Sequence, residues 1–521
     1  MPTTGPYSRL PFATPGWVYI VGAGPGDPGL LTLKGARYIG DAHVLFHDDL
    51  LDRRLLTLAA PDCEIVNVGH RADGSHGRIQ QDLNERLIAA ARRGRVVVRL
   101  KGGDPYIFGR GGEEAEALHK AGIPFEVVSG VSAATGALAY AGIPLTHRGI
   151  STTAVLVTGH GDPSDPDSGV DWQQLAGISG TLVIFMGARN LCAIVKALIS
   201  AGRPAEQPAA AIQWGTYPVQ QAVVATLGTI AEEVEGAELG PPTIVVCGDV
   251  VNLRDQLNWF ESKPLFGRRI LVTRSRNQAA ALQLMLEAEG ADVHSLPLLE
   301  ITPPDDTAYV DAIVDRLGEF DWVLFNSPNA VTYFFERVHA LKRDARAFAD
   351  VRVAAVGLAT SETLRQQGMV ADLIPKTHSS EGLAQAWDDV DLQGAKILIP
   401  ASSIGRTDVD AVLDERGANI TRITAYENRA PDPAKLHLPE ALTTGPLDSV
   451  VFASSSSVRN FVDVLGRDRA REVLANVDIA SIGPTTTQAV VNFDLPVAVQ
   501  PEESSVPSLV RALCDHFQGR R

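Results

Sequence analysis

Val18-Tyr-Ile-Val-Gly22-Ala-Gly24-Pro25-Gly26-Asp27 runs from an apolar stretch into a glycine-rich turn, and its last residue decides how the turn is read. A strand entering Gly-x-Gly opens a dinucleotide-binding unit when a third glycine follows and a helix N-terminus faces the pyrophosphate. Here Asp27 stands at the third glycine position, and Pro25 removes an N–H from the turn. A carboxylate placed there repels a phosphate group. The acidic pair Asp48 and Asp49, about 20 residues on, is what a ribose-binding site would want, so an NAD-dependent dehydrogenase stands as one alternative.

A ligand without phosphates and with positive charge suits the turn better. S-adenosylmethionine, with its sulfonium and ammonium groups, fits that description.

Outward from this turn the chain alternates apolar and helical stretches. Candidate strands are 18–21, 43–46, 96–100, 125–128, 154–158, 181–185 and 243–247. Such alternation predicts an α/β fold with a largely parallel sheet. Residues 161–170 (GDPSDPDSGV) read as a loop, and 262–266 (SKPLF) as a linker between domains. Residues 1–16 read as a disordered lead without a secretory pattern.

The second half repeats itself. Gly267-Arg-Arg-Ile-Leu271 answers Gly394-Ala-Lys-Ile-Leu398, and Gly290-Ala-Asp-Val293 answers Gly417-Ala-Asn-Ile420, both 127 positions on. Asp321-x-Val-x-Phe-x-Ser327-x-x-x-Val331 answers Asp448-x-Val-x-Phe-x-Ser454-x-x-x-Val458 at the same offset of 127. A period this long is not a solenoid unit. It predicts two similar α/β lobes with a cleft between them, a favoured place for a ligand.

Composition excludes several classes. Net charge is −16, which opposes a general nucleic-acid role, although a local arginine cluster can still hold a small anion. No apolar run is long enough for a membrane span, so a cytoplasmic location is expected. The 4 cysteines are scattered, and the 12 histidines show no ligand spacing, so no metal is expected.

Three collinear blocks carry a resemblance. Val21-Gly-Ala-Gly-Pro25-Gly-Asp-Pro-Gly-Leu-Leu-Thr-Leu-Lys34, Val98-Arg-Leu-Lys-Gly102-Gly103-Asp104-Pro-Tyr-Ile107-Phe-Gly-Arg110-Gly-Gly-Glu-Glu114 and Ala141-Gly-Ile-Pro-Leu-Thr-His147-Arg148-Gly149 are similar to motifs of the uroporphyrinogen-III C-methyltransferases. So are Val157-Thr-Gly-His160, Met186-Gly187, Gln213-Trp-Gly215-Thr216 and Leu257-Asn-Trp-Phe260. The resemblance spans residues 17–261 and implies a two-lobed tetrapyrrole-methylase fold, a homodimer, and S-adenosyl-L-methionine as cofactor. It places Pro25, Gly102, Gly103, Asp104, Ile107, Ser132, Ala133, Met186 and Gly215 around that cofactor.

The implied reaction is methyl transfer to a pyrrole carbon of uroporphyrinogen III, followed by loss of a proton. By the same resemblance Asp48 is the base. His70 stands where the family has a lysine proposed as proton donor, and imidazole can donate near neutral pH. Asp49 replaces an arginine of the family, and its charge is expected to raise a carboxylate pKa next to it. A polyanionic substrate calls for cations; Arg110 and Arg148 are the leading candidates, with Arg71, His147 and Arg189 beside them.

Residues 267–521 resemble uroporphyrinogen-III synthase, through Ile270-Leu-Val-Thr-Arg274, Asp321-Trp-Val-Leu-Phe-Asn-Ser327-Pro-Asn-Ala-Val331, Glu381-Gly-Leu383, Ala425-Tyr426, Phe452-Ala-Ser454-Ser455-Ser456 and Ile482-Gly-Pro-Thr485. That family is bilobed, with a parallel-sheet module in each lobe. By analogy the lobes are about 267–302 plus 427–521, and 303–426. The implied reaction cyclises hydroxymethylbilane with inversion of ring D. Ser327, Ser454, Ser455 and Thr485 are candidates for carboxylate binding, and Tyr426 for proton donation. A fusion of this kind would feed siroheme or cobalamin synthesis. A tetrapyrrole-binding protein with a vestigial methyltransferase is the other alternative.

Overall fold

The computed structural model describes residues 10–69, 76–163, 165, 169–273, 276–296, 298, 300–375, 385–403, 408–429 and 445–520. The chain forms two compact units: Met1–Arg268 with Leu286–Asp292 and Cys514–Arg521, and Arg269–Met285 with Val293–Leu513.

In the first unit, β1 (Val18–Gly22), β2 (Val44–His47), β3 (Glu64–Asn67), β4 (Val97–Lys101) and β5 (Phe125–Val128) form one sheet in the order β3-β2-β4-β1-β5. Every pairing in it is parallel. Tyr19, Val21, Val98 and Leu100 face α1 (Leu33–Asp41) through Tyr38 and Ile39. Val18, Ile20, Phe46 and Val97 face α2 (His76–Arg92) and α3 (Gly111–Lys120) through Leu83, Leu87 and Leu118. Helices on both faces are why these strands read as continuous apolar runs.

The second sheet holds β6 (Ala154–Thr158), β7 (Thr181–Phe185), β8 (Pro208–Gln213), β9 (Gln221–Thr226) and β10 (Thr243–Cys247), in the order β6-β7-β10-β8-β9. Only β6 and β7 are parallel; β7–β10, β10–β8 and β8–β9 are antiparallel. The expectation of a largely parallel sheet is therefore corrected here. Residues 214–220, which join β8 to β9, are too few for the crossover a parallel pair requires. Helix α4 (Ala133–Tyr140) lays Ala134, Ala137 and Leu138 on Val183, Ala210, Ile212 and Val246 of this sheet.

The second unit contains β11 (Arg269–Val272), β12 (Asp292–Ser295), β13 (Glu300–Thr302), β14 (Trp322–Phe325), β15 (Arg352–Ala355), β16 (Lys396–Ser402), β17 (Asn419–Arg429), β18 (Ser449–Phe452) and β19 (Asp478–Ser481). They build two sheets, β12-β11-β18-β19 and β13-β17-β16-β14-β15. Strand β13 runs antiparallel to β17; the pairings of β14 with β15, β14 with β16, β16 with β17, β11 with β18 and β18 with β19 are parallel. Glu300–Thr302 pairs with Glu427–Arg429, so both segments belong to the five-stranded sheet, a few residues beyond the 303–426 limits drawn from the resemblance.

Hydrogen bonds in the two sheets recur at the spacing of the sequence repeat. Asp321 Oδ2 accepts from the Lys396 N–H at 2.8 Å, and Asp448 Oδ2 from the Arg269 N–H at 2.8 Å. Ile397 lies opposite Trp322, as Ile270 lies opposite Ser449. No helix among the described residues is long and apolar enough to cross a membrane.

Candidate active site

The glycine turn after β1 is a place where backbones meet. A Cβ on Gly22 would sit 2.5 Å from the Gly130 nitrogen and 2.7 Å from the Gly103 oxygen. Gly24 and Gly103 exchange backbone hydrogen bonds of 3.2 and 2.8 Å. Gly22 is required by close approach, whereas Gly24 and Gly103 take positive φ of 80° and 66°.

Asp27 is fully engaged within the protein. Its Oδ1 accepts from the Gly29 N–H at 2.7 Å and so caps the short helical turn Pro28–Leu30. Its Oδ2 accepts from the Tyr140 hydroxyl at 2.5 Å, and its N–H donates to Thr216 Oγ1 at 2.9 Å. Burial and the Asp27 carboxylate push the Tyr140 phenol well above its usual range. Helix α1 begins only at Leu33, capped by Thr32. The helix N-terminus that a pyrophosphate would need is thus displaced, and the nearer one is occupied by a carboxylate. The dinucleotide alternative loses its structural basis.

The residues assigned to the cofactor lie at strand ends and turns of the first unit. Gly102 and Gly103 follow β4, and a Cβ on either would meet nothing within 4 Å, so their backbone borders open space. Pro25 packs against α4, where a Cβ on Gly136 would come within 2.6 Å of its ring. Ser132 caps α4 through a 3.4 Å bond from the Ala134 N–H, and Ala133 opens the helix. Gly215 lacks a side chain because Ala137 of α4 fills that place. Ile107 is half-buried in the loop after β4, beside Phe108, whose ring lies 5.0 Å from that of Phe185. Met186 is exposed at the end of β7.

Asp104 has structural partners of its own. Its two oxygens accept from the Tyr106 and Gly130 N–H groups at 2.8 and 3.1 Å, so it braces two loops. Backbone strain concentrates in the same region. Phe108, Arg110, Met186, Trp214 and Thr216 all adopt positive φ between 50° and 76°. Non-glycine residues held this way each cost on the order of 1–3 kcal/mol and mark ligand-binding regions more often than others.

Asp48 follows β2. Its Oδ1 accepts from Arg99 at 2.5 Å, and the Gly102 N–H donates to the same carboxylate. Partial burial would push Asp48 up, but the Arg99 and Lys101 charges outweigh it and hold the carboxyl below its ordinary value. The predicted raising of a carboxylate pKa by Asp49 does not occur at Asp48. The Asp49 side chain turns away, and its Oδ1 accepts from Asn67 at 2.7 Å. His70 and Arg71 lie outside the described residues, as do Arg274 and 381–383 of the second half.

The sequence reading missed the charges beneath Asp48. Arg99, Lys101 and Glu114 are at most 3% exposed. Glu114 Oε1 accepts from Arg99 Nε at 3.2 Å and from Lys101 Nζ at 2.9 Å. The signal was present: two cations at alternate positions of a buried strand lie on one face, where apolar residues belong.

Of the cations proposed for substrate, Arg110 is paired with Glu113 through bonds of 2.8 and 2.7 Å. Arg148 and His147 sit on an exposed turn, and Arg189 on a short helical turn after β7. Neither Arg148 nor Arg189 forms an ion pair among the described residues.

In the second unit the candidates form two groups. Ser327 caps the helix Pro328–Ala340, and its Oγ lies 3.1 Å from the Tyr426 hydroxyl. The Tyr333 ring stacks on Tyr426 at 5.8 Å. Ser454 caps the helix Ser455–Leu465, and Ser455 Oγ donates to the Thr485 carbonyl at 3.1 Å. Both groups stand at the C-terminal ends of parallel strands. Tyr333 was not anticipated, nor was Asn326, whose Oδ1 is buried without a hydrogen-bond partner.

Comparison with known proteins bears on both units. The family described as Tetrapyrrole (Corrin/Porphyrin) Methylases matches residues 17–231, and Uroporphyrinogen-III synthase HemD matches 280–511. The chain is 32% identical to the porphyrin biosynthesis protein HemD of Ruminiclostridium josui, over 96% of this chain and 98% of that one. It is 47% identical to the S-adenosyl-L-methionine-dependent uroporphyrinogen III methyltransferase of Methanosarcina barkeri, over 46% of this chain and 94% of the relative. A crystal structure of uroporphyrin-III C-methyltransferase from Thermus thermophilus, complexed with S-adenyl homocysteine, is 38% identical over 45% of this chain and 93% of its own, with a TM-score of 0.39. With a methylase match over the turn and strand ends just described, a synthase match over the duplicated sheets, and a relative aligned along nearly the whole length, the chain belongs to the porphyrin-biosynthesis family that joins a uroporphyrinogen-III C-methyltransferase domain to a uroporphyrinogen-III synthase domain.

Proposed function

We propose that the first unit methylates uroporphyrinogen III at carbon, towards precorrin-2, with Asp48 as the proton acceptor. One observation carries this. The Asp48 carboxylate is bonded to the Gly102 N–H, and the Gly102–Gly103 backbone borders open space. A charged acceptor and a place for a ligand are therefore adjacent. S-adenosyl-L-methionine, when bound, supplies an electrophilic methyl group on sulfur. Pro25, Gly102, Gly103, Ile107, Ser132, Ala133, Met186 and Gly215 would hold it, and a turn without free phosphate-binding N–H groups suits its positive charge.

The chain's own residues then do three things. The loops hold the reactants in line, which is the main source of acceleration for a transfer of this kind. Arg148 and Arg189 attract the substrate's carboxylates. Asp48, kept ionised by Arg99, takes the proton that leaves after methyl transfer. His70 is the proposed proton donor. A homodimer formed through this unit remains part of the proposal.

For the second unit we infer closure of hydroxymethylbilane to uroporphyrinogen III with inversion of ring D. Ser327, Ser454, Ser455 and Thr485 at strand ends would bind carboxylates. The Tyr426 hydroxyl, oriented by Ser327, would donate a proton to the departing hydroxyl. The test is the full chain with hydroxymethylbilane and S-adenosyl-L-methionine, followed by optical spectra. A dimethylated dihydro-product supports both activities. Uroporphyrinogen III accumulating unmethylated supports a vestigial methyltransferase, and uroporphyrinogen I alone refutes the synthase reading.

A further inference from the structure

Four charges are stacked beneath the open space beside Gly102. Glu114 of α3 is fully buried, Arg99 and Lys101 of β4 nearly so, and Asp48 lies at the rim. Glu114 Oε1 accepts from Arg99, from Lys101 and from Gln80 Nε2 at 3.3 Å, while its Oε2 is buried without a partner. Buried ion pairs add little net stability, because desolvation cancels most of the attraction and apolar residues of the same volume pack as well. A cluster kept directly under the candidate base therefore asks for another reason.

We propose that Glu114 and Lys101 are positioning residues for methyl transfer: they hold Arg99 so that it fixes Asp48 by one carboxylate oxygen and leaves the other for the proton. This rests on the assignment of Asp48 as acceptor. Among the described residues the groups facing Asp48 are few. On its own strand, His47 Nδ1 lies 2.9 Å from the Asp48 carbonyl, and Asp49 is turned to Asn67 of β3. Strand β4 supplies Arg99, Lys101 and the Gly102 N–H. Helix α3 supplies Glu114, and among the described residues α2 reaches it through Gln80. Burial and the neighbouring Arg99 pull Lys101 below the ordinary lysine range, and Glu114 and Asp48 only partly restore it. The cluster is balanced, with two charges of each sign.

That balance makes the test directional. Glu114→Gln leaves two cations facing Asp48 and lowers its pKa. Lys101→Met removes a cation and raises it. The acid limb of kcat/KM for methyl transfer should move down in the first variant and up in the second, each by about one pH unit. The double variant removes one charge of each sign and should return the limb to its wild-type position. Glu114→Asp keeps the charge but retracts the anchor; it should leave the limb in place and lower kcat about 10-fold.

The measurements use the full chain, uroporphyrinogen III and S-adenosyl-L-methionine, with hydrogen-exchange protection of peptides from β1 and β4 as the folding control of the first unit. Limbs that stay put in both charge variants overturn the inference. So do limbs that move in the same direction, or a Glu114→Asp variant with wild-type kcat. Should a charge variant not fold, the Glu114→Asp result decides alone. Full activity in Asp48→Asn would instead overturn the reading of Asp48 as acceptor.

Discussion

Two glycines near one another in the first unit should respond to alanine in opposite ways. Gly22 sits where a Cβ would meet Gly130 N at 2.5 Å, Gly130 Cα at 2.6 Å and Gly103 O at 2.7 Å. All three are backbone atoms, so relief requires β1 to part from the loops after β4 and β5. Overpacking of this kind costs about 1–3 kcal/mol, and rigid neighbours put it near the upper end. The stiffer unfolded chain returns about 0.4–1 kcal/mol. Gly22→Ala should therefore destabilise the first unit by about 2 kcal/mol. A Cβ on Gly102 meets nothing within 4 Å. Gly102→Ala should leave stability unchanged or slightly raised, yet its methyl enters the space proposed for the cofactor. Loss of affinity for S-adenosyl-L-methionine should be about 10-fold or more, near 1.4 kcal/mol. Hydrogen exchange on peptides from β1 and β4 reads the first effect locally, which matters in a chain whose two units need not unfold together. Equilibrium dialysis with labelled S-adenosyl-L-methionine reads the second. Wild-type affinity in Gly102→Ala would show that the open backbone is not the ligand's, and undiminished protection in Gly22→Ala would refute the packing argument.

Other outcomes follow from single contacts. Ser327→Ala and Ser454→Ala each remove a helix cap and should cost about 1 kcal/mol in thermal unfolding of the second unit. Only Ser327→Ala also frees the Tyr426 hydroxyl, so synthase kcat should fall further in that variant; equal kcat in the two would separate Tyr426 from the reaction. Asp48 has a depressed folded pKa, so its contribution to stability is present above the unfolded value of about 3.9 and is lost as pH falls through the lower folded value. Asp48→Asn should flatten that acid limb in urea titrations of the first unit. Arg203 is 3% exposed and donates to Gln207 Oε1 and to the carbonyls of Leu175, Ile178 and Gly180. Arg203→Met removes these bonds, with the Leu175 carbonyl keeping the Ile178 N–H at 3.3 Å, and should cost about 3 kcal/mol by thermal denaturation.

The sheet of the first lobe was legible because both its faces are covered, which writes each strand as an apolar run. Strands 125–128, 154–158, 181–185 and 243–247 were placed to the residue for the same reason. β3 escaped because Glu64, Ile65 and Asn67 are exposed at an edge, and β8 because Ala209–Ala211 carries helical composition that its two antiparallel neighbours override. Motifs mark candidate positions but not the bonds among them. The position of Asp27 in the turn shows in the motif, but its commitment to Gly29 and Tyr140 does not, because the second partner lies 113 residues away. Asp104 also braces two loops, which no motif shows, since only tertiary structure brings the Gly130 N–H to it. Arg99, Lys101 and Glu114 stood inside a quoted motif and were passed over, because a sequence does not show that a charge is buried.

Two helices of the second unit, 127 residues apart in sequence, hold the same segment of chain. The chain passes from the four-stranded to the five-stranded sheet between β12 and β13 and returns between β17 and β18, and one helix of each sheet holds the first passage. Tyr333 donates from the helix 328–340 to the Ile301 carbonyl at 2.5 Å, and Asn460 from the helix 455–465 to the Leu298 carbonyl at 2.6 Å. The two residues are 127 apart, one repeat. The grip is conserved in place but not in kind, and the difference matters chemically. Asparagine ends at its amide. Tyrosine brings a ring that stacks on Tyr426, whose hydroxyl meets the capping Ser327. The position of Tyr426 has Leu299 as its counterpart in the other repeat, so no second phenol can arise there. A symmetric scaffold is thus made asymmetric at one strand end. The cyclisation proposed for this unit, in which a linear tetrapyrrole loses a hydroxyl from one terminus only, calls for a proton source on one side, and the single Tyr426–Ser327 pair stands on one side only.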